Sequence, residues 1–274
     1  MQYDTRTITR DRCTEVISDK KEQLRLDYHR AMVVLKKKTY NQTIGSRLGS
    51  VWLVLDPLVL TLVYLFVFSV ISHREQPEVI FVGLGLIRGL QRSLISASNP
   101  STLQFQGGFP IERIRTRVTV ASSVMILASE SFFMGIGISG VLILMGSEPL
   151  NSLAYVFLLF FSNLWWHSLG VCLLGITSKI PDLHKFLSYF GMAMFFVSPV
   201  LYSFNQTTGI HRELCIYNPA TYFIEFSRFV VGTETGIESL SSIGFLSLIF
   251  TGVVLFIIGS SKMDSIRWAN SNRG

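Results

Sequence analysis

Apolar residues run through this chain in long blocks separated by short polar ones. The first block, 51–71, reads VWLVLDPLVLTLVYLFVFSVI, with one charge (Asp56) and one proline (Pro57), both near its start. As a helix it spans roughly 30 Å, the depth of a bilayer's hydrocarbon core. Further blocks follow at 79–98, 118–145, 151–178, 184–203 and 242–260. The polar breaks carry turn residues: a loop at 72–78, NPSTLQFQGGFPIERIRTR at 99–117, a tight turn at 146–149, and 179–182 with Pro181. The last break, 204–241, is longer and holds one weakly apolar piece, TYFIEFSRFVV at 221–231. The pattern predicts an all-α integral membrane fold of six transmembrane helices. No internal repeat and no second soluble domain are expected.

Ahead of the first block the period changes. Leu24, Tyr28, Ala31 and Leu35 are spaced four, three and four apart and predict an amphipathic helix over 15–40. Lys20, Lys21, Arg25, Lys36, Lys37 and Lys38 make up its basic remainder. Such a helix lies flat in the headgroup layer of membrane lipids, drawn by anionic lipid; the alternative is a helix packed on a soluble subunit. The predicted organisation is a cytoplasmic N-terminus over 1–50, a six-span domain over 51–260 and a cytoplasmic tail over 261–274.

Charge sets the orientation. Charged residues are 15% of the chain, against about 25% in soluble domains. The net charge of +6 raises nucleic acid as a partner, but position argues against it: eleven of the 24 Lys and Arg precede the first span. With six spans, nineteen fall on the side of the termini, counting Lys185 at the start of the fifth block, and three on the other; Arg88 and Arg92 are the remaining two. The positive-inside rule then places both termini in the cytoplasm and 204–241 outside. The first 15 residues hold no apolar core, so no secretory signal peptide is expected and the first span serves as its own insertion signal.

The search for reactive chemistry is mostly negative. There is no phosphate-binding loop and no H-E-x-x-H. The run Gly137-Ile138-Ser139-Gly140 is one residue short of a nucleophile elbow, because position 141 is valine, and small residues there suit close helix packing. Cys13, Cys172 and Cys215 fit no metal or redox spacing. What remains is a set of ionisable residues inside spans: Asp56, Arg88, Arg92 and Glu130. Each arginine costs roughly 2.5–3.5 kcal/mol at a helix centre. Arg88 and Arg92 are four apart and share a face with Ser96. They are candidates for a translocation path, or for a structural ion pair with Glu130. His167 reads as a helix-packing residue. Trp52, Tyr64, Trp165, Trp166 and Tyr202 suit interfacial belts or sugar stacking.

Several local runs are similar to one family. Residues 40–49, YNQTIGSRLG, followed by Trp52 through Leu58, resemble the entry to the first span of ABC-2-type export permeases, closest to the branch exporting O antigen, capsule and teichoic acid. Phe109-Pro110-Ile111-Glu112-Arg113 resembles that family's "FP-x-E" element, and Ser198-Pro199-Val200-Leu201-Tyr202 its "SPVLY". Asn218-Pro219, with Glu225 and Arg228 after it, resembles its "NP…E-x-x-R" in an external re-entrant region between the fifth and sixth spans. The matches run in order along almost the whole chain.

The resemblance implies a permease subunit rather than an enzyme. Two copies of the chain form the pore in the cytoplasmic (inner) membrane, and two separate ABC ATPase subunits bind beneath. The chain carries no cofactor; Mg-ATP sits on the partner. Phe109, Pro110, Glu112 and Arg113 would couple to the ATPase. The cargo would be a lipid-linked glycan such as O antigen or capsule; the alternative is an ABC-2 permease for a drug or another lipid, and beyond that an intramembrane enzyme or channel. Two departures stand out: Arg88-Gly89 where relatives often have an apolar or Pro-Trp sequence, and Arg115 where they often have a second proline.

Overall fold

The computed structural model describes residues 20–43, 77–99, 105–106, 109–110 and 116–271, with six isolated positions between Val51 and Phe66. The first expected span is otherwise outside the described residues, and so are Asp56 and Pro57. The described chain is helical: α1 Lys20–Thr43, α2 Pro77–Ser98, α3 Thr116–Leu144, α4 Pro149–Thr177, α5 Pro181–Val197, α6 Gly209–Tyr217, α7 Pro219–Val231 and α8 Ser242–Ser271. Between α2 and α3 sits one two-residue antiparallel pair, β1 Phe105–Gln106 and β2 Phe109–Pro110, in the register Phe105 to Pro110 and Gln106 to Phe109.

Local chemistry sets the helix ends. Gly146 takes φ +100°, and the amides of Gly146 and Ser147 return to the carbonyls of Ile143 and Leu142, each at 3.0 Å. This left-handed closure satisfies the last carbonyls of α3. Pro149 and Pro181 then open α4 and α5 at positions whose amide would have no helical partner. The fifth expected span, 184–203, differs from the structure. Helix α5 has 17 residues and stops at Val197, because Pro199 forces Ser198 into extended backbone (φ −92°, ψ 151°). At the other end of the molecule, α8 continues as helix to Ser271, past the expected boundary at 260.

Among the described residues, four helices are long and apolar enough to cross a membrane: α2, α3, α4 and α8. Helix α4 is the hub, packing against α2, α3, α5, α7 and α8. Helix α2 is enclosed on nearly every side, and its Ile80, Phe81, Leu84, Ile87 and Leu90 join Ile138 and Leu142 of α3, Tyr155 and Leu159 of α4, and Ile224 of α7 in one core. In lipid, apolar side chains gain little from leaving the solvent, so close approach and hydrogen bonds hold helices together. Both occur here. Tyr155 donates to the Val82 carbonyl at 3.1 Å, Asn163 to Ser131 Oγ at 2.8 Å, and Thr177 to the Ser98 carbonyl at 2.7 Å. Gly170 brings α4 onto the backbone of α2, where a Cβ would stand 2.8 Å from the Leu94 oxygen.

Helix α1 packs on α3, and of the expected stripe only Ala31 is fully covered. Its covered face is Asp27, Ala31 and Val34, while Leu24 and Tyr28 are exposed. These positions are four and three apart and so share one face of the helix, and Asp27 is paired there with Arg30 at 3.7 Å.

Candidate functional site: a buried Glu225–Arg228 cluster

Helix α7 carries the densest polar construction among the described residues. Asn218 caps it, its Oδ1 accepting from the Ala220 amide at 3.0 Å, with Pro219 next in line. Gly232, at φ +84°, ends it, and Thr233 returns its amide to the Arg228 carbonyl. Between these ends Glu225 and Arg228 lie one turn apart, both fully buried, with Nη1 2.9 Å from Oε1. The expected weakly apolar piece is thus a buried helix packed on α2 and α4.

Every polar hydrogen of the guanidinium has an acceptor. Nε and Nη2 both donate to the Val79 carbonyl, at 3.2 and 2.9 Å. Nη2 also donates to the Val200 carbonyl at 2.8 Å, and Nη1 to Tyr202 O and Glu225 Oε1, both at 2.9 Å. The carboxylate is equally occupied. Oε1 also accepts from the Phe204 amide at 3.1 Å, and Oε2 from the Gly236 amide at 2.6 Å and Thr235 Oγ1 at 2.9 Å. A buried pair is stable only when its remaining donors and acceptors are met in this way. The consequence is mechanical. One ion pair ties the start of α2, the strand of chain after α5, helix α7 and the 235–236 turn, and neither group has a donor or acceptor left for a ligand.

The two motifs read from sequence meet here. Asn218 Nδ2 donates to Ser198 Oγ at 2.8 Å, joining the start of α7 to the end of α5. Tyr202 Oη lies 2.8 Å from His211 Nε2 and 3.2 Å from the Ser198 carbonyl. Arg212 stacks over the Phe204 ring at 4.8 Å. Cys215, buried on the inner side of α6, has its thiol pushed up to about 11, chiefly by burial.

The intramembrane charges sit elsewhere. Arg92 Nε is 3.9 Å from Glu130 Oε2, linking α2 to α3; the arginine is 40% exposed and the glutamate 15%. Arg88 donates to Gln91 Oε1 at 3.2 Å, and Gln91 Nε2 donates to the Gly191 carbonyl of α5 at 2.8 Å. The structure therefore separates Arg88 and Arg92 by function: one braces α3, the other a glutamine that braces α5. Phe109 and Pro110 are in β2, opposite Gln106 and Phe105. Glu112 and Arg113 lie outside the described residues. Trp165 and Trp166 stack edge to face at 4.7 Å; Trp166 is buried, and Trp165 Nε1 bonds the Leu248 carbonyl at 3.1 Å. Trp165 thus ties α4 to α8, while Trp166 joins the core. Gly135 approaches the Val156 backbone and Ser139 donates to the Ser152 carbonyl, so these two small residues pack α3 on α4, while Gly140 faces away.

The family model for the ABC-2 type transporter matches residues 30–231. The chain belongs to the ABC-2 type transporter family. It is a multi-pass membrane protein. Among curated relatives, the chain is 24% identical over 244 residues to the O-antigen export system permease protein RfbA of Klebsiella pneumoniae, covering 86% of this chain and 92% of that one. It is 23% identical over 221 residues to the polysialic acid transport protein KpsM of Escherichia coli, covering 77% and 83%. The ABC-2 match ends at Val231, the last residue of α7, so it takes in every helix that the ion pair connects.

What sequence reasoning missed here are the acceptors. Val79, Val200 and Tyr202 act through carbonyls, which no side-chain pattern reveals. Asn163 and Gln91 carried a usable signal, since a polar residue inside a span must find a partner.

Proposed function

We propose that this chain is the membrane subunit of an exporter that moves a lipid-linked polysaccharide outward across the cytoplasmic membrane, driven by ATP hydrolysis on a separate subunit. The observation that carries the reading is that two relatives named for O-antigen export and polysialic acid transport align over most of the chain within one permease family. The chain itself is not an enzyme in this reading, and Mg-ATP belongs to the partner. Two copies form the pore, with two ATPase subunits below, and the termini lie in the cytoplasm, a placement that the distribution of Lys and Arg over six spans supports.

The elements take roles within that assembly. Helix α1 lies in the inner headgroup layer, with its exposed Leu24 and Tyr28 facing lipid. The β1–β2 hairpin, with Phe109 and Pro110, and the following Glu112 and Arg113 contact the ATPase. Helices α6 and α7, with Asn218 and Pro219 at their junction, form the external re-entrant region, and the Glu225–Arg228 pair holds it to α2 as one body. Asp56, Arg88, Arg92 and Glu130 flank the path. Arg88 and Arg92 offer planar, bidentate donors to the diphosphate or acidic sugars of the cargo.

The test is co-purification with a candidate ABC ATPase, followed by ATPase assay in nanodiscs. Stimulation by lipid-linked glycan, and not by the free carrier lipid or a drug panel, is the expected result. A stable complex stimulated only by drugs would overturn the substrate assignment, and no complex with any ABC ATPase would overturn the partner.

A further inference from the structure

A second feature lies on the far side of α4. Phe161, Leu164, Trp165 and Ser168 of α4 face Leu248, Ile249, Gly252, Val253 and Phe256 of α8 across an open groove of about 440 Å³, with Phe223 of α7 at one end. Its lining is almost wholly apolar. The volume falls in the range of ligand clefts, about 300–1,000 Å³. Trp165 forms one wall, and its indole N–H is already committed to the Leu248 carbonyl, so the wall presents ring face and no donor. Ser168 and Phe256 also line a narrower cleft that continues along α8 to Gly259 and Ser260. Two residues further, Lys262 stands exposed.

We propose that this groove seats one acyl chain of an anionic phospholipid. Three observations on the molecule select that occupant. Helix α8 is apolar and almost entirely exposed, so the groove opens directly onto the hydrocarbon that surrounds a spanning helix. Its α8 lining runs from Leu248 to Phe256, about two turns, so the groove follows the helix as an acyl chain does. It leads toward a cation: Lys262 follows Phe256 by six residues, about 9 Å along a helix, a reach that places an ammonium at the level of the lipid phosphate. The serines along the way do not compete for the headgroup, because Ser168 and Ser260 donate to the Leu164 and Ile257 carbonyls of their own helices. Only the leaflet, the cytoplasmic one, rests on the orientation proposed above; the binding itself does not depend on what the permease exports.

The experiment uses the full chain, purified in mild detergent, with retained phospholipid counted by native mass spectrometry after exchange against equal phosphatidylglycerol and phosphatidylethanolamine. The expected result is one tightly retained phosphatidylglycerol per chain. Ile249→Trp, whose side chain fills the groove, should lower retention at least fivefold. Phe250→Trp, equally exposed on α8 but not lining the groove, should leave it unchanged. Lys262→Gln should lower retention about threefold and erase the preference for the anionic headgroup. Should Ile249→Trp fail to fold, phosphatidylglycerol with brominated acyl chains should quench a fluorescence component of the wild type that Trp165→Phe lacks. Equal retention in both tryptophan variants, no headgroup preference, or displacement of the phospholipid by polyprenyl phosphate would each overturn the proposal. Transport need not be measured, so failure here is distinct from failure of the exporter reading.

Discussion

Arg228 directs two nitrogens at one carbonyl: Nε lies 3.2 Å and Nη2 2.9 Å from the oxygen of Val79, 149 residues earlier in the chain. Val79 is in the first turn of α2, where a helix carbonyl already accepts an intrahelical bond and the second lone pair is otherwise open. The guanidinium uses that spare capacity to hold α7 against α2. Because Glu225 and the Val200 and Tyr202 carbonyls take its other hydrogens, the contact is not adjustable one bond at a time.

Removing the arginine alone therefore strands a fully buried carboxylate. Arg228→Met should destabilise the fold by about 3–5 kcal/mol, the usual cost of breaking one side of a buried pair. Arg228→Lys should recover little, since an ammonium cannot span three carbonyls and a carboxylate at once. The Arg228→Met/Glu225→Gln double variant should be less damaged than the two single changes summed. Thermal unfolding in detergent reads all three, and a wild-type midpoint for Arg228→Met would show that the cluster carries no structural weight.

The joint between α6 and α7 gives a smaller, separable effect. Asn218 both caps α7 and bonds Ser198 Oγ. Asn218→Ala should cost about 1–2 kcal/mol through the lost cap. Asn218→Asp keeps the acceptor for Ala220 but loses the amide donor, so it should fall between wild type and alanine. Ser198→Ala should cost less than Asn218→Ala, because it spares the cap. Ranking the three midpoints checks the assignment; a Ser198→Ala more damaging than Asn218→Ala would contradict it.

These relationships also show what was legible in the chain. The end of α5 was written in Ser198-Pro199, since proline has no amide and restricts its neighbour; even so, the hydropathy block ran on to 203 and overstated the helix. Glu225 and Arg228 stood out as a motif, but their partners did not, because Val79, Val200 and Phe204 contribute only backbone groups, and any residue supplies those. The contact of α1 with α3 was not legible either: Leu24 and Tyr28 of its apolar stripe stay exposed, while Asp27, Ala31 and Val34 are the residues covered. The Arg92–Glu130 pairing was anticipated as one option because two opposite charges in neighbouring spans have few other ways to be satisfied.

Cys215 offers a pH-dependent readout outside the spans. Its side chain is fully buried and its thiol donates to the Val197 carbonyl at 3.2 Å. Burial raises its pKa to about 11, and a neighbouring Glu225 charge adds to the rise. A thiol raised on folding stabilises the native state fully below its unfolded pKa, near 9, and that contribution fades as pH rises toward 11. In a Cys13→Ser/Cys172→Ser background, maleimide should label the folded chain slowly at pH 7.5 and label the SDS-unfolded chain rapidly. The unfolding midpoint should fall more steeply between pH 9 and 11 than in the Cys215→Ser variant. Fast labelling of the folded chain would show that α6 opens readily from α7.

The pairing of Arg92 with Glu130 and of Arg88 with Gln91 predicts different phenotypes for the two arginines. Arg92→Leu should lower folded yield, because Glu130, only 15% exposed, loses its cation, and Arg92→Leu/Glu130→Leu should restore it. Arg88→Leu should leave yield near wild type, since its loss unbinds only Gln91, which keeps its own bond to the Gly191 carbonyl. If Arg88 meets anionic cargo, the same variant should cut export in cells at normal protein level. Unchanged export in Arg88→Leu would restrict that residue to bracing Gln91.

Glycines inside the spans should divide by what lies opposite. At Gly170 a Cβ would stand 2.7 Å from the Ala97 Cβ and 2.8 Å from the Leu94 carbonyl oxygen, and backbone cannot swing aside as a long side chain does. Gly170→Ala should therefore push α4 off α2, strain the Thr177 to Ser98 bond two turns further along α4, and cost about 1–3 kcal/mol, as overpacked interiors do. At Gly140 nothing lies within 4 Å of the same added atom. Gly140→Ala should stabilise α3 by up to about 1 kcal/mol, the difference in helix propensity. Both variants are one methyl larger and both are within spans, so a shared response would be an effect of the lipid or detergent. Opposite shifts in the unfolding midpoint are the outcome expected if close α2–α4 approach is what holds this bundle together; a harmless Gly170→Ala would mean that the two helices have room to separate.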